Sequence, residues 1–316
     1  MMACPFPLRV LLVAEESAGV QLLQAVHDSR FQIAAVMATP PRDGQARGAV
    51  WSAARKRGID LWPATLVRNI ATARRIREAK VDILLNAHSL HVIPDEVLQA
   101  PRIGAFNLHP GPLPRYAGLN AVSWAIYNGE QEHGVTVHRM DPGIDTGPIV
   151  DQAMFAIESD DTALSLAGKC SRFGIPLMLK LLERAATDPG SIPLAPQDLL
   201  ARQYFGRQIP NHGVIDWTAH AEQIRNLVRA CDYGPFRSPW GHARTYIDGI
   251  QVEILKVAQT GRACDQPPGT VGAIGPDGAL IATADEWLRV AKLRLGERTS
   301  HPADVLGTMQ RLQDSP

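Results

Sequence analysis

Cysteine is scarce and scattered. Cys4, Cys170, Cys231 and Cys264 are the only four, and none belongs to a C-x-x-C pair. That spacing excludes a zinc knuckle or a disulfide framework. Cys170 lies in an apolar-periodic stretch and reads as a small buried hydrophobe. Charge of one sign is missing too: Lys+Arg and Asp+Glu both total 32. A polyanion partner would have to be met by a local basic patch. No apolar run approaches the 18 residues of a membrane span. The opening MMACPFPLRVLLVAEES turns acidic too soon for a signal peptide and reads as a first core strand, so a cytoplasmic protein is expected. A glycine-rich phosphate loop is also absent. After the first apolar run the chain reads AEESAGV, where Glu15 and Glu16 would repel phosphate at a helix start. A nucleotide in the usual dinucleotide position is therefore not expected.

What is present is ordinary globular composition, 45% hydrophobic and 20% charged, over a length that allows about two domains. Apolar runs at 8–14, 32–38, 81–88 and 105–109, with a short one in DLWPA, alternate with helical spacing at 18–28, 46–57 and 69–79 and a short PDEVLQA helix. This β-α rhythm predicts an α/β fold with a Rossmann-like, open, mostly parallel sheet. A helix is expected at 119–128 and a strand at 134–140. PGIDTGPIV supplies a loop and a short strand, and a long helix over 160–185 is N-capped by Asp160 or Asp161. Residues 1–188 would form the catalytic domain. The Pro- and Gly-rich stretch 189–212 reads as a linker. From 213 to 316 one helix is followed by short alternating runs with hairpin dipeptides Asp248-Gly249 and Asp277-Gly278. That tail predicts a smaller C-terminal β-barrel-like (OB-like) domain.

The stretch AFNLHPGPLPRYAG at 105–118 interrupts this regularity. Asn107 and His109 share one face of the fifth strand at its carboxyl end, where open α/β sheets bind ligands. Pro110, Pro112 and Pro114 stiffen the loop beyond the strand. Asp145, flanked by Gly143 and Gly147, ends the next strand pair. Read singly, these are a turn Asn, a half-buried His and a turn Asp. Together, an amide, an imidazole and a carboxylate suit acyl transfer, with donors for an oxyanion and an acceptor for a proton. No G-x-S-x-G elbow frames Ser89 or Ser123, so direct attack by a substrate amine is the simplest chemistry. His88-x-x-His91 and the pair His133/His138 have poor metal-ligand spacing, and no metal is expected.

FNLHPGPLPRYAG followed by NAVSWAIYNGEQEHGVTVHRMDPGIDTGPIV resembles the 10-formyltetrahydrofolate-dependent formyltransferases. The likeness covers 8–185 and continues more loosely through the tail. It implies that Asn107 donates to the formyl oxygen, that His109 assists as a cation or donor, and that Asp145 holds His109 and relays the amine proton. It places N10-formyltetrahydrofolate, the formyl donor, against His88, Ser89, Leu90, His91, Val92 and Ile93 and against Met140, Asp141, Gly143 and Ile144. Arg115, Tyr116 and Asn120 follow the triad and are the expected substrate contacts. The expected acceptor is a small biosynthetic amine: an amino sugar on a nucleotide, or an amino acid, free or carrier-bound. Two alternatives stay open. One is a methionyl-tRNA formyltransferase, although the 39–50 insertion with Arg42 and Arg47 is short and 202–316 carries 13 Lys/Arg against 12 Asp/Glu. The other is a formyltetrahydrofolate hydrolase with water as acceptor.

Overall fold

The structure is a computed structural model that describes residues 7–41, 48–307 and 310–315. Cys4, Arg42 and Arg47 lie outside them. The chain divides into two compact units. The first gathers the residues up to Gly118, His133–Phe155 and Ala167–Tyr204; the second gathers Leu119–Glu132, Ala156–Leu166 and the chain from Phe205 onward.

In chain order the elements are β1 (Arg9–Ala14), α1 (Glu16–His27), β2 (Gln32–Ala38), α2 (Ala49–Lys56), β3 (Leu61–Pro63), α3 (Thr72–Glu78), β4 (Ile83–Ala87), α4 (Asp95–Leu98) and β5 (Gly104–His109). There follow β6 (Ala117–Gly118), α5 (Ala121–Tyr127), β7 (Glu132–Arg139), β8 (Ile149–Ala156), α6 (Ala163–Thr187), β9 (Tyr204–Phe205) and α7 (Ala221–Cys231). The tail holds β10 (Ala243–Ile247), β11 (Ile250–Ala263), β12 (Val271–Gly275), β13 (Gly278–Ala282), β14 (Glu286–Leu295) and β15 (Arg298–Ser300).

The first unit is built on a seven-stranded sheet of order β3-β2-β1-β4-β5-β7-β8. β1 to β5 pair in parallel and β7 runs antiparallel to β5. Strands β4 and β5 are buried at every position, as their unbroken apolar runs require of a sheet covered on both faces. One face packs Leu11, Val13, Met37 and Leu84 against Trp62, Val67, Ile76 and Val97. Burying each such side chain stabilises by about 1.5–3 kcal/mol. Helix α6 lies close to β5 because Gly174 has no side chain: a Cβ there would sit 2.6 Å from Leu108 Cδ1 and 2.9 Å from Val135 Cγ2. Leu108 thus turns to the helix, and its neighbours Asn107 and His109 turn to the opposite face. The order reverses between β1 and β4, so the ligand crevice expected of such a sheet opens where Ala14 and Ala87 end.

Three sequence expectations shift. The long helix starts at Ala163, and its cap is Thr162 rather than Asp160 or Asp161. The Thr162 hydroxyl accepts from Ser165 N–H (3.3 Å) while the Ser165 hydroxyl accepts from Thr162 N–H (2.9 Å). The helix expected over 69–79 is shorter, Thr72–Glu78, and a 3-10 turn at Ala64–Arg68 precedes it. The 189–212 stretch is partly pinned down: Ala195 bridges Ile149 of β8, and Gln197 reaches the loop before it.

In the second unit α5 carries an aromatic cluster: Trp124 stacks on Phe205 (4.8 Å) and meets Trp240 edge-on (5.0 Å). The β-rich part runs β10-β11-β14-β13-β12, with β15 on β14. Asp248 and Gly249, both left-handed, form the two-residue turn between β10 and β11. In the other hairpin the turn is Pro276-Asp277, one residue earlier than its dipeptide indicates, because Gly275 pairs with Gly278. Residues 310–313 join the two edges of this sheet. Leu312 N–H donates to Gly269 and Val271 N–H to Gln310 on the β12 side, while Gln313 and Tyr246 exchange bonds on the β10 side.

Candidate active site

Three neighbouring strands of the first unit present one polar side chain each at the same level. The parallel register sets Asn86 of β4 beside Asn107 of β5, and the antiparallel register sets Asn107 beside His138 of β7. Asn86 Nδ2 donates to Asn107 Oδ1 (2.8 Å). Asn107 Nδ2 lies 3.1 Å from His138 Nε2 and 3.5 Å from Asp145 Oδ1. His138 Nδ1 lies 3.0 Å from the Arg139 carbonyl, which can only accept, so Nδ1 carries the proton and Nε2 is free to accept from Asn107.

His109, one step along β5, places Nδ1 3.4 Å from Asp145 Oδ2 and donates from Nε2 to the Tyr116 carbonyl (2.7 Å). The structure therefore brings Asn107, His109 and Asp145 to one point and adds His138, whose Nε2 is 3.4 Å from Asp145 Oδ1. Asp145 also accepts from Gly118 N–H (2.8 Å). Burial alone would push its carboxyl up. The neighbouring imidazoles of His109 and His138 and the hydrogen bond from the Gly118 amide outweigh it and hold the group well below the usual carboxylate range. His109 moves down: burial disfavours its cation, against the opposing pull of the Asp145 charge and the Tyr116 carbonyl.

The loop chemistry explains why these side chains converge. Tyr116 has a left-handed backbone (φ 58°), which turns its carbonyl onto His109. The chain crosses this bond at Gly111, where a Cβ would lie 2.8 Å from His109 Nε2 and 2.9 Å from the Tyr116 oxygen. Thr136 on β7 anchors the proline loop, donating from Oγ1 to the Gly111 carbonyl (2.7 Å) and accepting from Leu113 N–H (3.1 Å). In DPGIDTG, Asp141 accepts from Thr146 Oγ1 (2.7 Å) and Gly143 N–H (3.1 Å). A Cβ on Gly143 would meet Thr146 Oγ1 at 2.0 Å, and one on Gly147 the Arg139 carbonyl oxygen at 1.9 Å. Asp145 itself is left-handed (φ 55°). Gln197 Nε2 clamps the loop through the carbonyls of Asp145 (3.0 Å) and Gly147 (2.6 Å).

Two flanking loops carry the other sequence-read positions. Leu90 and Val92 are 81% and 66% exposed and Ile144 is 47% exposed. Ile93 is buried in the core and Met140 packs against it, so those two side chains support the loops from below. Ser89 is buried, and its Oγ has no hydrogen-bond partner among the described residues. His91 is half-buried. His88, left-handed (φ 57°), reaches Glu16 with Nδ1 at 3.3 Å from Oε2. That hydrogen bond holds Glu16 below the usual carboxylate range against the effect of burial. Glu15 takes the Thr39 amide and hydroxyl, both at 2.7 Å.

Of the expected substrate contacts, Arg115 is exposed. Tyr116 is buried, its ring edge-on to His133 at 5.7 Å. It enters the site through its carbonyl, which accepts from His109 Nε2. Asn120 falls in the second unit at the start of α5. His133 stands apart from His138, bonding the Pro110 carbonyl (2.9 Å). Among the described residues no cluster of three or more His, Cys, Asp or Glu is arranged to hold a metal ion, and no helix is long and apolar enough to cross a membrane.

Residues 8–182 match the family model described as "Formyl transferase", and 209–309 the one described as "Formyl transferase, C-terminal domain". The chain belongs to the formyl transferase family. Solved structures of formyltransferases share its fold. WlaRD, a sugar 3N-formyl transferase solved in the presence of dTDP and 5-N-formyl-THF, is 22% identical over 90% of this chain and 98% of its own, with a TM-score of 0.69. An N-formyltransferase from Helicobacter canadensis, in complex with folinic acid and dTDP-3-aminofucose, is 21% identical over 90% and 99%, TM-score 0.68. HypX from Aquifex aeolicus, in complex with tetrahydrofolic acid, is 19% identical, TM-score 0.66; the match covers 95% of this chain and 47% of HypX, so this formyl transferase spans about half of HypX's length.

Proposed function

We propose that this chain is an N-formyltransferase that moves the formyl group of N10-formyltetrahydrofolate to the amine of a small substrate, with a nucleotide-linked amino sugar as the first acceptor to test. The observation that carries the reading is the convergence of Asn107, His109 and Asp145 in a family member. The exposed Leu90, Val92 and Ile144 suit the flat apolar face of a pterin, in the two loops assigned to the donor. The sugar N-formyltransferases among the similar structures support the choice of acceptor. Arg115, in the loop that follows Asn107 and His109, is its proposed contact.

The proposed course is direct. The acceptor amine attacks the formyl carbon, and the formyl oxygen becomes an oxyanion. Asn107 Nδ2 holds its weakest bond, at 3.5 Å, toward Asp145, so that N–H is the one to turn to the oxyanion. Asp145 takes a proton from the attacking nitrogen and passes it to His109 Nδ1. The imidazole is neutral at rest because it is buried, and it becomes a cation as the oxyanion forms. Collapse breaks the carbon–N10 bond, and N10 leaves with that proton as tetrahydrofolate.

The test is tetrahydrofolate formation, followed by absorbance, with a panel of amines: nucleotide-linked amino sugars, free and carrier-bound amino acids, and methionyl-tRNA. Release that requires one amine supports the reading and names the acceptor. Release at the same rate without any amine overturns it in favour of hydrolysis.

A further inference from the structure

Asn86 takes no part in the course above, yet it is buried beside it. The orientation of each amide in the polar row follows from one fixed point. Asp145 is a carboxylate held in its ionised form, and an ionised carboxylate only accepts. Asn107 must therefore turn its Nδ2 toward Asp145 and its Oδ1 away. Oδ1 then needs a donor, and Asn86 Nδ2 supplies it at 2.8 Å. Asn86 is 5% exposed and its own Oδ1 has no hydrogen-bond partner among the described residues. A buried carboxamide that leaves half of its capacity unused costs stability. The half it does use sets which end of Asn107 faces the reacting atoms.

We propose that Asn86 is a positioning residue: it locks the Asn107 carboxamide so that N–H, not C=O, faces His138, Asp145 and the developing oxyanion. The inference rests on the formyl-transfer reading for its catalytic consequence but not for its structural one. A leucine or valine at this position would strip Asn107 Oδ1 of its buried donor and leave only the His138 contact and the long 3.5 Å bond to Asp145 to orient the amide; a turned amide would set a carbonyl dipole against the oxyanion. Val13 of β1, its partner on the other side, is apolar, so no second donor stands next to Asn86 in that strand.

Two near-isosteric variants test this. In Asn86→Asp the introduced carboxyl is raised by burial. Protonated, it still donates to Asn107 Oδ1; ionised, it can only accept, and Asn107 must turn its Nδ2 toward it. The ratio of variant to parent kcat should therefore fall as pH rises, on the order of 100- to 1,000-fold, as for loss of one oxyanion donor, while KM for N10-formyltetrahydrofolate stays within about threefold. In Asn86→Leu the loss is present at every pH. The second readout needs no substrate. In protein carrying 15N-histidine, the His138 Nε2 resonance reports what faces it: the Asn107 N–H in the parent and the Asn107 carbonyl oxygen in ionised Asn86→Asp. An unchanged His138 15N spectrum in both folded variants overturns the lock, whatever the activity. If the parent turns over no formyl donor, the spectrum still decides the lock, and only the formyl-transfer reading fails.

Discussion

Asn107 and His138 face each other across the antiparallel β5–β7 pair, Nδ2 to Nε2 at 3.1 Å. The contact ties the donor assigned to the formyl oxygen to a histidine outside the Asn-x-His pair. Through His138, the Asn107 amide gains an acceptor across the strand pair and Asp145 gains a second imidazole neighbour. The site is thus a four-membered set, and removing a member of a cooperating set costs more than its own contacts.

His109→Ala should lower kcat/KM by about three orders of magnitude or more while the protein stays folded. Tetrahydrofolate release gives the rate and a thermal melt gives the fold. A rate within about tenfold of the parent would remove His109 from the chemistry.

Asp145→Asn keeps the shape and, as asparagine tolerates the left-handed backbone at φ 55°, should keep the fold. It loses the proton acceptor and should lose most activity. Retained turnover would reassign Asp145 to loop structure alone.

Leu90→Asp and Val92→Asp should weaken binding of tetrahydrofolate, read by fluorescence titration, by about tenfold or more, since each places a charge where an apolar face is proposed to rest. The melting temperature should barely move, because both side chains are largely exposed. Unchanged affinity in both would move the donor away from the 88–93 loop.

Folding stability should fall on acidification through a histidine outside the reaction. Burial pushes His133 from its ordinary 6.5 down to about 4. Between those values the unfolded chain takes up a proton that the folded chain refuses, so stability is lost as pH falls from 6.5 toward 4. The loss is on the order of 3 kcal/mol. Denaturant midpoints across this window should decline, and more shallowly in His133→Gln. Equal slopes in the two proteins would exclude His133 as the cause.

The sequence carried the positions of Asn107, His109 and Asp145 because each rests on local rules: period-two alternation in β5 and glycine spacing around Asp145. The place of His138, weighed in sequence only as a metal ligand, and that of Asn86 beside the triad depend on strand register, which alternation within one strand does not reveal. The signal for His138 was there, as Thr136 and His138 interrupt the valines of GVTVH on one face of a buried strand. The role of the Tyr116 carbonyl was not legible for a related reason: the left-handed turn that directs its ring inward and its carbonyl to His109 shows only in three dimensions. The Thr162 cap lost to two aspartates by sequence preference alone, since its reciprocal bonds with Ser165 appear only in three dimensions.

Residues 310–313 act as the zip of the β-rich part, one short segment fastening two open sheet edges at once. Unfastened, β10 and β12 would each offer a row of bare backbone groups to any passing strand. A chain cut before Gln310 would therefore trade a closed surface for two sticky ones, and self-association measured by light scattering would be the first symptom, ahead of any loss in the rate of formyl transfer.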